Sequence, residues 1–370
     1  MRLDNIFNLG IKELRGLLRD PLMMILIVYA FTVSIYTAST AAPETLNRAT
    51  IAVVDEDQSP VSTRIITALY PPYFVTPEII SQSEMDHRMD AGRDTFALDI
   101  PPNFQRDLLA GRSPTIQINI DATRISQALT GGGYLQSIVS GEITEFLNRY
   151  RGQSSLPVDL ALRSRFNPEL NNGWFSAITN IITSITMLSI VLTGAALIRE
   201  REHGTIEHLL VMPVTALEIM LSKVWSMALV VLIASLVALV VVVQGLLHIP
   251  IAGSVTLFMF GTVLMLFATT SLGIFLATIA GSMSQFGLLL IMVLLPLQML
   301  SGTMTPRESM PEIIQTIMLA APNTHFVMFA QAVLFRGAGF DVVWPQLLCL
   351  LVIGSILFVI ALRRFREFLK

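Results

Sequence analysis

Long stretches of this chain carry no Asp, Glu, Lys or Arg, and the places where they stop organise everything else. Residues 21–43, 170–198, 224–306 and 342–362 are free of all four residue types. A helix needs about 20 apolar residues to cross a bilayer, so the first, second and fourth stretches each hold one span. The third is too long for one. It breaks where polar and turn-forming residues cluster, at His248-Ile249-Pro250-Ile251-Ala252-Gly253-Ser254 and at Gly281-Ser282-Met283-Ser284-Gln285. The pattern predicts six spans, at 21–42, 174–198, 221–247, 255–280, 286–302 and 344–363. Apart from His248 at a boundary, these spans are expected to hold no ionisable side chain.

Between the second and third spans lies a burst of charge, Arg199-Glu200-Arg201-Glu202-His203-Gly204-Thr205-Ile206-Glu207-His208-Leu209-Leu210. Hydrocarbon cannot accommodate it, so residues 199–220 read as a helical element that projects into water. Residues 1–20 form another short element. Leu3, Ile6, Phe7, Gly10, Leu14, Leu17 and Leu18 share one helical face, while Asn5, Lys12, Arg15 and Arg19 are expected to point away. This is the pattern of an amphipathic helix lying in the membrane interface. Lys and Arg gather in residues 1–20, in the charged burst and in the tail 364–370, and are sparse in the alternate loops. The positive-inside bias therefore puts both termini and the burst in the cytoplasm.

That orientation leaves residues 43–173 outside as one large soluble domain with an acidic excess. Thr50–Asp55, Thr95–Ile100 and Thr115–Asp121 read as strands, the last with apolar residues at 116, 118 and 120. Pro60 follows Asp57 and Ser59, either of which suits a helix N-cap. Helices are expected over Phe104–Leu109 and about Ser126–Tyr150. The fold class is thus an α-helical polytopic membrane protein with six transmembrane helices and a large α/β extracytoplasmic domain between spans 1 and 2.

Composition agrees: 53% of residues are hydrophobic and only 14% charged, too apolar for an ordinary soluble protein. The Arg residues are scattered and form no basic stripe, which argues against nucleic acid as a partner. Cys349 is the only cysteine, so an external domain must be held by its core alone. The stretch from Leu22 is long enough to span and its charged lead is too long for a signal peptide, so it reads as an uncleaved anchor.

Candidate chemistry is sparse. No phosphate-binding glycine loop or Cys/His zinc framework occurs. His203 and His208 flank Glu207, but five residues put the histidines about 140° apart on a helix, where two zinc ligands need i, i+4 spacing. No metal site and no catalytic residue is expected. Spans without carboxylates also argue against ion-driven transport, which needs a group to bind the coupling ion. Thr179, Thr183, Thr186 and Thr193 share a face of the second span with Asn180 close by. They read as interhelical glue, a dimer seam or part of a pathway. Residues 303–340 are apolar but broken by Pro306, Pro311 and Pro322, with Met310 and His325 beside the breaks. Two helices too short to span, around a proline turn, predict a re-entrant hairpin.

With these pieces assembled, the chain resembles the ABC-2 type transport permeases of bacterial inner membranes over essentially its whole length. The resemblance rests on the interfacial first helix and on Ile51-Ala-Val-Val-Asp55-Glu-Asp57-Gln-Ser59. It rests further on the charge ending in Gly204-Thr205-Ile206-Glu207 with Leu209-Leu210-Val-Met-Pro213 after it, and on Thr305-Pro306 with Met310-Pro311 and Pro322 with His325-Phe326. It implies a permease subunit of an ATP-driven exporter that moves an amphipathic or hydrophobic compound, drug or lipid-like, outward. The charged segment would be a coupling helix, with Arg199, Arg201, Glu202, Gly204, Thr205, Glu207, Leu209 and Pro213 at the ATPase interface. The resemblance also implies an ATP-binding cassette subunit that holds ATP and Mg, a second permease half, identical or related, and a periplasmic membrane-fusion adaptor. The chain itself would carry no cofactor and no ATPase. The alternative is a non-transporting scaffold or sensor whose external domain signals through the charged loop.

Overall fold

A computed structural model describes residues 2–40, 48–121, 125–151, 172–204, 213–303 and 307–368. Its contacts divide the chain into two units, Pro43–Leu162 and Met1–Ala42 with Arg163–Lys370.

The smaller unit is built on a four-stranded sheet. Its strands are β1 (Ile51–Asp55), β2 (Glu78–Ile79), β3 (Phe96–Ile100) and β4 (Gln117–Ile120), in the order β2-β1-β3-β4. β1 pairs parallel with both β2 and β3, and β4 runs antiparallel to β3. The two central strands are buried on both faces, which explains why Ile51–Val54 reads as a continuous apolar run instead of an alternation. Ser59 caps the helix Pro60–Ala68 reciprocally with Ser62, and Pro60 takes the first turn, where its missing N–H costs nothing. Phe74, Phe96, Leu98 and Phe104 form the core with Leu135, Val139 and Phe146 of the helix Ile125–Arg151. Arg64 and Glu142 bridge those two helices at 2.8 Å. β2 and the helix Gln82–Asp90 were not legible in the sequence: a two-residue strand has no period, and the helix buries only Met85.

The larger unit is helical. α1 (Leu3–Leu18) precedes α2 (Pro21–Thr40), and α3 (Asn172–Glu202), α4 (Ala216–Leu246), α5 (Val255–Ile279) and α6 (Met283–Leu300) follow. Two short helices, α7 (Glu312–Met318) and α8 (Pro322–Leu334), meet at 89°, and α9 (Phe340–Phe368) closes the unit. Six of these, α2 to α6 and α9, are long and apolar enough to cross a membrane. The polar breaks between spans serve as caps. Ser254 accepts from the Leu257 N–H at the start of α5, and Ser282 accepts from the Gln285 N–H at the start of α6.

α3 is enclosed by its neighbours, whereas α6 and α9 present much of their length outward. The enclosure depends on small residues. A Cβ at Gly273 of α5 would lie 2.7 Å from the Ile190 carbonyl oxygen of α3, so only glycine allows the two backbones to approach this closely. Beside that contact Ser189 and Thr269 share a hydrogen bond of 2.7 Å. Phe258, Phe326 and Phe329 stack where α8 lies against α5.

Two boundaries differ from those the sequence predicts. Arg199–Glu202 do not begin a separate element; they finish α3, because nothing before Gly204 breaks the helix. α4 begins at Ala216 instead of 221, since Thr215 and Glu218 form a capping box ahead of the apolar run. Lys223 and Glu218 are therefore buried in the first turns of a span helix, which corrects the expectation of spans free of charge. α8 starts at Pro322, and its buried His325 donates from Nε2 to the Leu319 carbonyl at 2.8 Å, closing the turn.

Candidate functional site

Thr205, Glu207, Leu209 and Pro306 lie outside the described residues. Of the other predicted coupling residues, Arg199, Arg201, Glu202 and Gly204 fall on the last turn of α3 and its exit. The distinctive feature there is that four successive charged side chains each hold a different part of the unit. Arg199 pairs with Asp20, the N-cap of α2. Glu200 meets Lys223 of α4 at 2.7 Å and Lys12 of α1 at 2.9 Å. Arg201 donates from Nη1 to the Ala280 carbonyl at the end of α5, 2.8 Å away, and lies over the Phe368 ring of α9 at 5.0 Å. Glu202 accepts from the Met283 N–H in the first turn of α6 at 2.9 Å, where a carboxylate also complements the helix dipole. Gly204 then takes φ +68, a left-handed conformation that ends the helix as a glycine does at little cost. Pro213 is exposed on the far side of the undescribed segment.

The geometry follows from helical spacing. Consecutive residues point about 100° apart, so four in a row cover the whole circumference of the helix end. Because α3 is central, each direction meets a different neighbour.

Below this turn sits a closed charge cluster. The Lys223 side chain is 1% exposed and lies between Glu13 Oε1 at 3.0 Å and Glu200 Oε2 at 2.7 Å, both carboxylates being 11% exposed. Lys12 completes the set from the solvent side. Two ammonium groups balance two carboxylates, which is what an ionic group in a desolvated setting requires. Burial pushes the Glu13 carboxyl above its ordinary value against the opposing pull of Lys223, and the neighbouring Glu200 adds to the rise. Burial also acts to raise the Asp20 carboxyl, but the Met23 N–H and the Arg199 guanidinium outweigh it and hold that group below its usual value.

The Lys12 side chain is 54% exposed, yet its ammonium reaches Glu200. α1 is pinned flat against α4 in an orientation that brings Lys12 and Glu13 to Glu200. Gly10 makes the contact: a Cβ there would fall 2.1 Å from Trp225 Cζ2. Phe7 stacks on Trp225 with ring centroids 5.8 Å apart, and the Trp225 indole donates to the Ile6 carbonyl at 3.2 Å. Glu218 caps two helices at once, accepting from the Thr215 N–H of its own helix and from the Arg2 N–H ahead of α1. Glu13, Glu218, Lys223 and Trp225 escaped the sequence reading, and Glu200 was read only as part of the charged burst. The one available signal was a lysine and a glutamate inside the first two turns of an otherwise apolar span. A cleft of about 320 Å3 opens over the cluster, bordered by Lys12, Arg199, His203 and Met227.

The polar stripe of α3 is divided. Thr186 is buried and donates to Asn323 Oδ1 of α8 at 2.8 Å, and Asn323 in turn donates to the Leu297 carbonyl of α6 at 3.0 Å. Asn180 accepts from Ser34 of α2 at 3.1 Å, and Thr193 is buried and bonded within its own helix. Thr179 and Thr183 are half-buried. In the hairpin, Met310 and Pro322 are buried and Pro311 is exposed. Among the described residues no group of three or more His, Cys, Asp or Glu side chains is placed to hold a metal ion.

Residues 21–363 match the model of a family described as ABC-2 family transporter protein. The chain is 61% identical over 365 residues to the inner membrane transport permease YhhJ of Escherichia coli K12, covering 99% of this chain and 98% of that protein. It is 27% identical over 349 residues to the probable multidrug ABC transporter permease YbhR of the same organism, covering 93% of each. It is 25% identical over 366 residues to the probable multidrug ABC transporter permease YbhS, covering 95% of this chain and 93% of that one.

Proposed function

The chain belongs to the ABC-2 family of transporter proteins, and from that premise we propose that it is the permease subunit of an ATP-driven exporter. A separate ATP-binding cassette subunit binds ATP and Mg and does the hydrolysis; this chain converts the resulting movement into rearrangement of its spans. The cargo is an amphipathic or hydrophobic compound, drug or lipid-like, moved outward across the bacterial inner membrane. The names of YbhR and YbhS as probable multidrug permeases support that cargo class, as does a membrane unit with no carboxylate in the middle of its spans to bind a coupling ion.

One observation carries the reading: Arg199, Glu200, Arg201 and Glu202 tie the end of α3 to α2, to α1 and α4, to α5 and α9, and to α6. A push on the segment after Gly204 therefore reaches every span through polar contacts that can break and reform. Residues 205–212 are the docking element for the ATP-binding subunit, with Glu207 its leading contact. The bias of Lys and Arg favours both termini and this element in the cytoplasm and the α/β unit in the periplasm. There the α/β unit offers a docking surface for a membrane-fusion adaptor. A second permease half completes the pathway, with Thr179 and Thr183 available to it.

The test is reconstitution with the ATP-binding subunit in vesicles, following ATP hydrolysis and export of a panel of amphipathic dyes. Glu207→Arg should abolish dye-stimulated hydrolysis and export together while leaving the assembly of the chain intact. Unchanged hydrolysis and export in that variant would defeat the coupling assignment. Intact complexes that hydrolyse ATP without moving any compound would instead point to the sensor role.

A further inference from the structure

At the other end of α3 from the charge cluster, the membrane unit holds a cavity of about 500 Å3. Its wall is made by Phe175 in the first turn of α3, Ser301 just after α6, Gln315 of α7, Met328 and Gln331 of α8, and Arg307 in the turn Arg307–Ser309. The volume lies within the roughly 300–1,000 Å3 typical of small-molecule sites.

Arg307 is the anomaly. Its Nη1 has only the Met328 sulfur, 3.3 Å away and a weak acceptor, and its Nε is shut off from solvent with no hydrogen-bond partner. Among the described residues it makes no ion pair, in contrast to Lys223, which is buried more deeply but matched by two carboxylates. Most buried ionisable groups can lose their charge by shifting their pKa. A guanidinium cannot, because it keeps its proton in proteins. A fixed, partly desolvated charge without a counter-ion costs several kcal/mol, and an anion arriving from outside removes that cost. The surrounding wall suits an anion attached to an apolar body. Gln331, Ser301 and Gln315 are neutral hydrogen-bonding groups with no negative charge to repel it, although Gln315 already donates from Nε2 to the Met310 carbonyl. Phe175, Val327 and Met328 supply the apolar side.

We propose that this cavity binds the anionic headgroup of an amphiphile, a phosphate or carboxylate, with Arg307 as its counter-ion. The planar guanidinium fork matches two oxygens of either group. The binding site stands independently of the export reading, since it needs neither ATP nor a partner subunit.

The full chain, purified in neutral detergent, is titrated with phosphatidylglycerol or phosphatidylcholine in mixed micelles, and bound lipid is counted by native mass spectrometry. The wild type should retain phosphatidylglycerol in preference to phosphatidylcholine. Arg307→Gln should weaken phosphatidylglycerol binding about tenfold or more and erase the preference, since a charge-assisted contact contributes about 1.5–3 kcal/mol. Arg307→Lys should keep part of it, and Arg336→Gln, an exposed arginine at the end of α8, should change nothing. Should Arg307→Gln fail to fold, Arg307→Lys and Gln331→Leu carry the comparison. Dodecyl phosphate should displace the lipid where inorganic phosphate at equal concentration does not; equal displacement would overturn the amphiphile assignment. Phosphatidylglycerol binding that is unaltered in Arg307→Gln, or no better than that of phosphatidylcholine, would overturn the site altogether.

Discussion

Replacing Lys223 with Met tests the charge cluster most directly. Met fills nearly the volume of the lysine stem and suits the apolar neighbours, so packing changes little. What is lost is the ammonium between Glu13 and Glu200, which it meets at 3.0 and 2.7 Å. Lys12 alone then faces two carboxylates that are each only 11% exposed. Breaking a buried pair by removing one partner costs about 3–5 kcal/mol, because a charge is left without compensation. Lys223→Met should therefore loosen the docking of α1 by an amount in that range. Adding Glu13→Gln neutralises one of the stranded carboxylates and leaves Lys12 and Glu200 as a matched pair at 2.9 Å, so the double variant should recover most of the loss. The reporter is Trp225, whose indole sits under Gly10 and Phe7. In a background of Trp174→Phe and Trp344→Phe, its emission should shift to the red as α1 leaves, and a denaturant titration gives the free energy. A loss below about 1 kcal/mol in the single variant would refute the reasoning from charge balance, as would a double variant no better than the single.

Two further outcomes follow from local geometry. Gly10→Val places side-chain atoms where Trp225 Cζ2 already stands 2.1 Å from the first of them, so α1 should separate from α4 with Trp225 emission red-shifted even without denaturant. In the smaller unit, the Ser81 N–H and hydroxyl hold the Glu84 carboxyl below its usual value. A depressed acid stabilises the fold above its unfolded pKa, about 4.3, and that contribution is lost as pH falls through the folded value. Protection of the Gln82–Asp90 amides, taken relative to the intrinsic exchange rate at each pH, should accordingly fall on acidification through that window, whereas in Glu84→Gln it should be lower at neutral pH and flat across it.

How much could be read in advance depends on the range over which the causes act. Where a span lies is a local property, since some 20 residues without charge have one way to satisfy their backbone in hydrocarbon. The caps at Ser59, Ser254 and Ser282 are local in the same sense, each joining residues within one turn. The Arg199–Glu202 turn stands out in the sequence for its charge, but its partners are between 23 and 188 residues away along the chain. Glu218 shows the same split in one residue. Its cap on Thr215 is visible as a spacing of three, while its hold on Arg2 spans 216 positions.

The sequence by itself determined six segments long and apolar enough to cross a membrane, a sheet-based unit between the first and the second of them, and a charged turn at the end of the second. Those features come from the solvation of each segment taken alone. The tertiary structure decided which charges face one another: Lys223 between Glu13 and Glu200, and Arg307 facing a cavity with no counter-ion among the described residues. The physical reason is that desolvation is a collective property. A lysine near the end of an apolar run reads as a boundary marker until neighbouring helices close over it, and only their packing determines whether the charge is matched.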